Sequence, residues 1–318
     1  MTPPSRRHQL PVPPLAAILG ATASGKSELA MAVATRLPVE IVVADSRQVY
    51  RGLDIGTAKP TAADRRAVPH HLLDVVEPNQ DFTLADWLAA ARELLPAIWA
   101  RGRLPLVVGG TGLYVSALVD GYQLGAQPPS GTLRRELAAE VEQAGLPAVA
   151  QRLATLDPRT AARIDLRNPR RVLRALERVL LSRAALGEPA AEPWPGRLAL
   201  LAVERPLDVL RARIEARAAA MFAGGLLEEA ARLRAAGYGA DLPPLTGHGY
   251  REAFRVLDRG GGVEAAVAET ARRSRQYAKR QLTWFRRDRR IIWLPAGAEA
   301  ASGLATTATD LIRRLTAG

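Results

Sequence analysis

The residues with the clearest chemical potential lie between Gly20 and Ser27, in the sequence GATASGKS. Two glycines five positions apart, followed by lysine and a hydroxyl residue, fit the pattern of a phosphate-binding P-loop. Backbone N–H groups around Ala23 to Lys26, with the N-terminus of the next helix, can surround phosphate oxygens. Lys26 adds a full charge, and the Ser27 hydroxyl is a suitable Mg²⁺ ligand. The loop predicts a phosphoryl or pyrophosphoryl ligand, whereas a glycine turn with an incidental lysine is the structural alternative.

Asp45 is a second candidate, because it follows the apolar run EIVVA and opens the stretch ADSRQVYRGLDIGTAKP. Polar residues at 46–50 lack the alternation of a core strand, so we expect this stretch to contact a ligand. A carboxylate here could be linked to a metal in a simple nucleotide hydrolase, or could merely cap a strand end. A further glycine loop, GGTG at 109–112, offers Thr111 beside the same cleft.

The elements that would position these residues follow from apolar periodicity. Strand-like runs end at Gly20, at Asp45 and at Gly109, and helical patterns separate them, from about Lys26 to Arg36 and over FTLADWLAAARELLPAIW. In the second helix, Thr83 fits the N-cap position. This order is typical of an α/β fold with a parallel sheet and helices on both faces. Ligands of such sheets bind at the carboxyl ends of the strands.

The predicted fold class is a P-loop NTPase-like α/β core with an inserted all-helical domain. Residues 1–120 form the first part of the core, 121–194 the insert, and 195–318 the second part with a basic C-terminal helix. The insert opens at GAQPPSG and contains the helical patterns LRRELAAEVEQAG and NPRRVLRALERVLLSR. Strand patterns resume at RLALLAVE, and helices follow over 207–222, 226–236 and 262–286. The strand RIIWL and a terminal helix complete the chain.

Composition excludes several classes of protein. The chain of 318 residues has no cysteine, which excludes disulfides and thiolate metal sites. No apolar run approaches the roughly 20 residues of a membrane span, and the proline-rich N-terminus lacks the apolar centre of a signal peptide. We therefore expect a cytoplasmic protein without a membrane partner, and a monomer.

The formal charge of +12 favours a polyanionic partner. Within 272–290 there are nine basic residues and one acidic residue, although a general preference for arginine is a simpler explanation of the total. Trp284 lies inside this segment and could stack on bases, or could bury one face of the helix. The adjacent His70 and His71 point apart in most backbones, so a hydrogen-bonding role fits them better than a metal site.

Seven blocks in order resemble the tRNA dimethylallyltransferase (tRNA isopentenyltransferase) family: GATASGKSELA, ADSRQVYRGLDIGTAKP, PHHLLD, GGTGLYVSALVDG, NPRRVLRALE, RIEAR and RQYAKRQLTWFRR. The resemblance spans most of the chain, from Gly20 to about Arg290. It implies that the P-loop binds dimethylallyl diphosphate, with Mg²⁺ as cofactor. It also implies that the dimethylallyl group moves to N6 of the adenine on the 3′ side of the tRNA anticodon, with release of pyrophosphate.

The same resemblance implies roles for individual residues. Asp45 would be the general base, Thr111 would lie by the reacting centre, Lys26 would stabilise the leaving group, and either Arg213 or Arg217 would reach the diphosphate. The diphosphate would contact Gly20, Ala21, Thr22, Ala23, Ser24, Gly25, Lys26 and Ser27, with the metal on Ser27. The anticodon stem-loop of tRNA would contact Asp45, Ser46, Arg47, Gln48, Thr111, Arg134, Arg170, Arg171, Val172, Leu173, Arg174, Lys279, Arg280, Gln281, Leu282, Thr283, Trp284, Phe285 and Arg286.

One block departs from the family pattern. In GHGYRE, Gly249 and Tyr250 agree with it, but Thr246 and His248 stand where an Arg and a Val or Ile are common. The alternatives are a P-loop small-molecule kinase using ATP, a prenyltransferase of free adenine nucleotides, and a nucleotide-regulated RNA-binding protein without catalysis. The kinase leaves the basic segment unexplained, the insert favours a larger acceptor, and Asp45 at the cleft favours an enzyme.

Overall fold

A parallel six-stranded sheet is the centre of the structure, a computed structural model that describes residues 13–122, 131–182, 192–297 and 301–317. Every neighbouring pair of strands is parallel, in the order β3-β2-β4-β1-β5-β6. The α/β prediction is confirmed. The strands are β1 (Leu15–Gly20), β2 (Val39–Val43), β3 (His70–His71), β4 (Leu104–Gly109), β5 (Leu198–Glu204) and β6 (Ile292–Pro295).

Helices occupy most of the remaining described chain, together with one short 3₁₀ helix over Pro243–Thr246. They are α1 (Lys26–Ala34), α2 (Ala62–Ala67), α3 (Leu84–Ala100), α4 (Gly112–Val119), α5 (Gly131–Ala144), α6 (Leu146–Leu156), α7 (Pro158–Arg163), α8 (Pro169–Ser182), α9 (Leu207–Ala223), α10 (Leu226–Ala235), α11 (Tyr250–Arg259), α12 (Val263–Phe285) and α13 (Ala301–Thr316).

Both faces of the sheet are covered, because successive strand residues point to opposite sides. On one face, Ile18, Ile41 and Leu106 form a core cluster with residues of α1 and α13. The alternate residues of the strands are equally buried, as Leu19 and Val107 show, and on that side α3 contacts β4 and α12 contacts β1. The strands therefore read as continuous apolar runs rather than as alternating patterns.

Thr83 caps α3 as the sequence predicts. Its hydroxyl accepts a hydrogen bond from the Asp86 amide, and the Asp86 carboxylate accepts one from the Thr83 amide. The helix is then tied to the sheet by Trp87, whose indole N–H donates to the carbonyl of Val43 at 2.9 Å. The end of β2, and with it Asp45, is held in place by this contact.

The chain divides into two compact units. One comprises Met1–Gly121 with Pro193–Gly318, and the other comprises Tyr122–Glu192. The second unit contains α5 to α8 around its own core, which includes Leu137, Leu153, Val172 and Leu176. In the first unit, the Trp194 amide donates to the Val119 carbonyl at 2.8 Å. The points where the chain leaves and re-enters this unit are therefore adjacent, as in a domain insertion.

Candidate active site

The loop between β1 and α1 has the backbone form of a phosphate cradle. Gly20 has a φ of 153°, and a Cβ at this position would lie 2.5 Å from the Ser24 hydroxyl oxygen. Gly25 precedes the helix in the left-handed region, with a φ of 95°, which favours glycine. Among the described residues, the amides of Ala23 and Gly25 have no protein acceptor. These amides are available to an anion at the N-terminus of α1.

Other groups of the same loop hold its shape rather than face a ligand. The Thr22 amide donates to the Gln281 side chain at 2.8 Å, and the Ser24 amide donates to the Ala21 carbonyl at 3.2 Å. The side chains of Ala21 and Ser24 are buried. The Thr22 and Ser24 amides are thus bound within the protein, whereas the buried Ser24 hydroxyl has no hydrogen-bond partner among the described residues. The diphosphate contacts of Ala21, Thr22 and Ser24 stay predictions.

Lys26 lies beside a second cation at the cradle. Its ammonium group donates to the Ala21 carbonyl at 3.3 Å. Burial, together with the nearby Arg217 guanidinium, lowers the pKa of Lys26 to about 8, while the charges of Asp45 and Glu28 oppose the change. Two neighbouring cations in a partly desolvated site repel each other, and a bound anion would reduce this repulsion. A diphosphate would relieve that repulsion.

The two arginines of RIEAR take different positions. Arg213 donates to the Ala23 carbonyl at 2.9 Å and forms an ion pair with Glu28 at 2.9 Å, so it braces the outer side of the loop. Arg217 donates to the Thr57 carbonyl at 3.4 Å and is electrostatically coupled to Lys26 and Asp45. Of the two arginines, Arg217 is the one whose charge acts on Lys26 and interacts with Asp45, and the contact of either arginine with a diphosphate stays a prediction.

Arg205 is a residue of this site that the sequence analysis missed. Its guanidinium donates to the Ser24 carbonyl at 2.6 Å and to the Ala296 carbonyl at 3.2 Å. Arg205 directly follows β5, which pairs with β1 in the sheet. Its place at the carboxyl end of a strand beside the P-loop strand is the signal that could have identified it.

Asp45 and Thr111 lie together at the ends of neighbouring strands, as predicted. The Thr111 amide donates to the Ala44 carbonyl, and the Thr111 hydroxyl oxygen accepts from the Ser46 amide, both at 3.1 Å. The Asp45 carboxylate accepts from the Arg47 amide at 2.9 Å. Each loop thus fixes the other, and the carboxylate and the hydroxyl share the edge of the sheet at which the cradle ends.

Ser27 lies exposed in the first turn of α1, next to Lys26. A hydroxyl at this place, with phosphate oxygens and water, is the set of hard oxygen ligands that Mg²⁺ prefers. Among the described residues, no group of three or more His, Asp or Glu side chains could hold a metal by itself. The chain thus fits a metal carried largely by the phosphate ligand.

Two aromatic residues near Asp45 were not among the predicted site residues. Tyr277 on α12 is partly buried, and burial together with the Asp45 charge raises its pKa to about 12. The His248 ring packs edge-on against it, with 5.5 Å between ring centres. Burial, helped by Arg273, lowers the pKa of His248 to about 4. Both rings are therefore neutral at pH 7, and Tyr277 lies within the electrostatic influence of Asp45.

The other residues predicted to follow Asp45 at the cleft are held by backbone carbonyls. Arg47 donates to the Pro243 carbonyl, and burial lowers its pKa. The Gln48 amide donates to the Thr57 and Ala58 carbonyls at 3.0 and 3.2 Å. These contacts orient both side chains before any ligand binds.

The predicted tRNA-binding stretch at the end of α12 separates into an inner and an outer face. Gln281, Leu282 and Phe285 are buried, so their side chains face the protein interior, and their contacts with tRNA stay predictions. Gln281 supports the site instead, donating to the Gly110 carbonyl at 2.8 Å. The outer face consists of Lys279, Arg280, Thr283, Trp284 and Arg286.

Trp284 is partly packed against the protein and partly exposed, so it combines the two alternatives that the sequence left open. Its indole ring packs on Gly112, where a Cβ would lie 2.3 Å from the ring, and its N–H donates to the Ser116 hydroxyl at 3.4 Å. The side chain still exposes 37% of its surface. One edge of the ring is structural, and the rest is open to a stacking partner.

The basic segment at 272–290 is partly neutralised in space. Five of its arginines form ion pairs with carboxylates: Arg272 with Glu269, Arg273 with Glu252, Arg275 with Glu215, Arg286 with Glu204, and Arg290 with Asp120 and Asp288. Within the described ranges, no ion pair is formed by Lys279, Arg280, Arg287 or Arg289. The cations of this segment that remain as candidates for phosphate binding are therefore these four.

In the inserted unit, the predicted contacts also differ in exposure. Arg170 and Arg171 are exposed at the start of α8, whereas Val172 is fully buried in the core and Leu173 is partly buried. Arg134 and Arg174 both bind the buried carboxylate of Glu177, at 3.1 and 2.6 Å. The Val172 side chain thus belongs to the core of this unit, and the contacts of Val172, Leu173 and the four arginines with tRNA stay predictions.

His70 and His71 serve as hydrogen-bonding residues, as expected. His70 bonds the Val68 carbonyl at 2.8 Å, and His71 bonds the buried Glu40 carboxylate at 2.7 Å. The hydrogen bonds from Arg101 and His71 hold the pKa of Glu40 at about 2. This cluster lies around the start of β2, at the opposite end of the strand from Asp45.

The fold and the site define a P-loop α/β enzyme, in which a phosphate cradle with Lys26 lies beside a carboxylate and a hydroxyl on neighbouring strands. Two family models match the chain: IPP transferase over residues 48–288 and isopentenyl transferase over residues 13–74. The chain belongs to the tRNA dimethylallyltransferase family and is a prenyl-transferring enzyme. No helix in the described residues is long and apolar enough to span a membrane.

Individual relatives agree with the family models. The chain is 48% identical to the tRNA dimethylallyltransferase of Anaeromyxobacter dehalogenans, covering 88% of this chain and 94% of that protein. It is 43% identical to the enzyme of Moorella thermoacetica, covering 95% of both. A crystal structure of the tRNA isopentenylpyrophosphate transferase from Bacillus halodurans is similar, with 38% identity, a TM-score of 0.69, and coverage of 94% of this chain and 97% of that one.

Proposed function

We propose that this enzyme transfers a dimethylallyl group from dimethylallyl diphosphate to N6 of the adenine on the 3′ side of a tRNA anticodon, with release of pyrophosphate. The family is named for transfer of this group to tRNA, and the site is arranged for it. Cytoplasmic location and a monomeric state stay predictions.

The observation that carries the proposal is the pairing of two kinds of group along one edge of the sheet. The cradle, Lys26 and Arg217 form a cationic side that suits a diphosphate. Asp45 and Thr111, at the ends of β2 and β4, form a side that can accept a proton and a hydrogen bond. In a displacement, the leaving diphosphate and the attacking amine meet at one carbon, so the cationic groups and the proton acceptor must be adjacent.

The reaction would be a displacement at the allylic carbon. The C–O bond to the diphosphate breaks while the adenine N6 forms a bond to that carbon. Negative charge grows on the departing pyrophosphate, where Lys26, Arg217 and the cradle amides stabilise it. The N6 lone pair is delocalised into the purine ring, so removal of a proton by Asp45 assists bonding by about 10²–10⁴-fold.

Mg²⁺ is proposed to bind through the Ser27 hydroxyl and the diphosphate oxygens. When bound, it would add positive charge on the leaving-group side. The remaining steps depend on side chains of the chain itself: Lys26 and Arg217 orient the diphosphate, and Asp45 receives the proton.

The acceptor side would hold an adenine that has left its stack, which costs a few kcal/mol. Trp284 presents an open aromatic edge, and four cations at the end of α12 are without carboxylate partners among the described residues. Stacking and phosphate contacts at these places would offset the cost of extruding the base.

The decisive experiment incubates the protein with labelled dimethylallyl diphosphate, Mg²⁺ and an unmodified anticodon stem-loop, with each component omitted in turn. We expect label in the adenine, and loss of about 10²–10⁴-fold in kcat for Asp45→Asn with unchanged stem-loop affinity. Label that enters free AMP as fast as the stem-loop would support the nucleotide prenyltransferase instead. ATP turnover without label in RNA would support a kinase.

A further inference from the structure

A buried carboxylate supports the loop that follows the acceptor side of the site. Glu229, in the first turn of α10, is 2% exposed. Its oxygens accept hydrogen bonds from three successive backbone amides, those of Asp54, Ile55 and Gly56, at 3.2, 2.9 and 3.3 Å. Successive N–H groups that converge on one anion fix the local backbone, because each bond constrains the dihedral angles on both sides of its amide.

Tyr250 completes this anchor from α11. Its hydroxyl donates to the Glu229 carboxylate, and its ring lies on Gly56, where a Cβ would come within 2.4 Å of the ring. Burial next to Glu229 raises the pKa of Tyr250, so the hydroxyl stays protonated and keeps donating. We call Glu229, Tyr250 and the backbone of 54–56 the loop anchor.

The residue after the loop anchor, Thr57, bonds two side chains of the candidate site. The carbonyl of Thr57, the next residue, accepts from the Gln48 amide at 3.0 Å and from the Arg217 guanidinium at 3.4 Å. The Thr57 hydroxyl donates to the Leu53 carbonyl at 2.6 Å and closes the turn. One backbone carbonyl thus orients a side chain on the acceptor side and the arginine on the diphosphate side.

We infer that Glu229 and Tyr250 are positioning residues for Arg217, acting through the backbone of 54–57. The inference rests on the proposed function, because it gives Arg217 the task of binding the diphosphate. A buried carboxylate is costly unless its contacts are complete, and here they are directed at the backbone that aims the Thr57 carbonyl. Loss of the carboxylate would let that carbonyl turn, and Arg217 would lose its fixed orientation toward Lys26.

The test uses inorganic pyrophosphate as the probe, measured by titration calorimetry on the whole protein with Mg²⁺. Glu229→Gln keeps the shape but puts an amide N–H₂ against backbone N–H groups. We expect the pyrophosphate Kd to rise about tenfold in Glu229→Gln and about threefold in Tyr250→Phe, which loses one donor only. In an Arg217→Ala background, neither substitution should change the Kd further, because residues that act through one another are not additive.

Glu40→Gln is the matched control, since Glu40 is equally buried and binds Arg101 and His71 away from the site. It should lower the melting temperature without changing the pyrophosphate Kd. Additive effects with Arg217→Ala, or an equal rise in Kd for Glu40→Gln, would overturn the inference. If Glu229→Gln does not fold, Tyr250→Phe in both backgrounds decides. Pyrophosphate binding is read without prenyl transfer, so failure of the proposed function would appear separately as absence of label in RNA.

Discussion

The charge of Lys26 in the free enzyme is sensitive to pH because its pKa is lowered. Burial and the Arg217 guanidinium bring its pKa to about 8, so a small rise in pH removes the charge from the free enzyme. Bound diphosphate acts in the opposite direction, because an anion nearby favours the protonated form. The affinity for the donor should therefore depend on pH in the alkaline range.

We predict that kcat/KM for the donor falls as pH rises through about 8, the pKa of Lys26 in the free enzyme. The profile of kcat should fall only at higher pH, because it reports the complex in which the diphosphate holds the proton on Lys26. Steady-state rates across the alkaline range would measure both. Lys26→Arg, which stays charged, should lose the decline near pH 8; the same decline in that variant would assign it to another group.

Sequence patterns identified the residues whose chemistry depends on a local motif. Lys26, Asp45 and Thr111 each lie in the segment that follows a strand of the parallel sheet, and the carboxyl ends of such strands meet at one edge. Tyr277 and His248 reach the same place from segments far along the chain, and only tertiary packing shows this. The different contacts of Arg213 and Arg217 could not be predicted either, since both residues lie on the same helix and only the folded loop shows that Arg213 pairs with Glu28 while Arg217 bonds the Thr57 carbonyl.

At the scale of elements, the segment at the end of α12 shows that the number of basic residues in a stretch of sequence does not give the number of unpaired cations on the surface. Carboxylates from other parts of the first unit, such as Glu215 and Glu204, come to lie against its arginines. These partners were invisible in the local sequence. The four cations without a carboxylate partner in the described residues remain the candidates for phosphate contacts.

We predict that the double substitution Lys279→Gln, Arg280→Gln weakens stem-loop binding and lowers the slope of log Kd against log salt by about two units, or one per lost phosphate contact. Both residues are exposed on α12. Binding curves at several salt concentrations would measure the slope. Arg272→Gln is the matched control, because Arg272 is engaged by Glu269 on the same helix, and an equal change in slope there would place the interface elsewhere.

Long periodic elements were predictable, whereas two short elements were missed. The predicted helix at 262–286 is observed as Val263–Phe285, since a repeated apolar face over many turns is a strong signal. The helix over Ala62–Ala67 and the two-residue strand His70–His71 were missed. They are too short to show a period, although Thr61 and Asp64 form a capping box that could have indicated the helix.

At the scale of the molecule, the two units are each compact and each have a core. The inserted unit lies between two segments that meet at the Val119–Trp194 hydrogen bond. The α/β core could be predicted from sequence because apolar strand runs, each followed by a turn and a helical pattern, alternate along the chain. The compact units divide after Gly121 and before Pro193, and the assignment of 121–194 as an inserted tRNA-binding domain stays a prediction.

We predict that replacing residues 122–192 by a short Gly/Ser linker leaves a folded core. This variant should bind pyrophosphate with a Kd within about threefold of the full chain, because the cradle, Lys26 and Arg217 all belong to the first unit. Stem-loop affinity should fall at least about tenfold if Arg170 and Arg171 contact RNA. Circular dichroism and calorimetry would measure this, and undiminished RNA binding would remove the insert from the interface.

Gln281 has a mechanical consequence. Its one amide group receives the Thr22 N–H from the first glycine loop and donates to the Gly110 carbonyl of the second. The helix that carries it also carries Lys279 and Arg280 on its outer side. A polyanion bound to Lys279 and Arg280 would therefore contact the same helix whose Gln281 side chain bonds both glycine loops. If tRNA binds there as proposed, Gln281 would couple the position of tRNA to the geometry of the phosphate-binding loop.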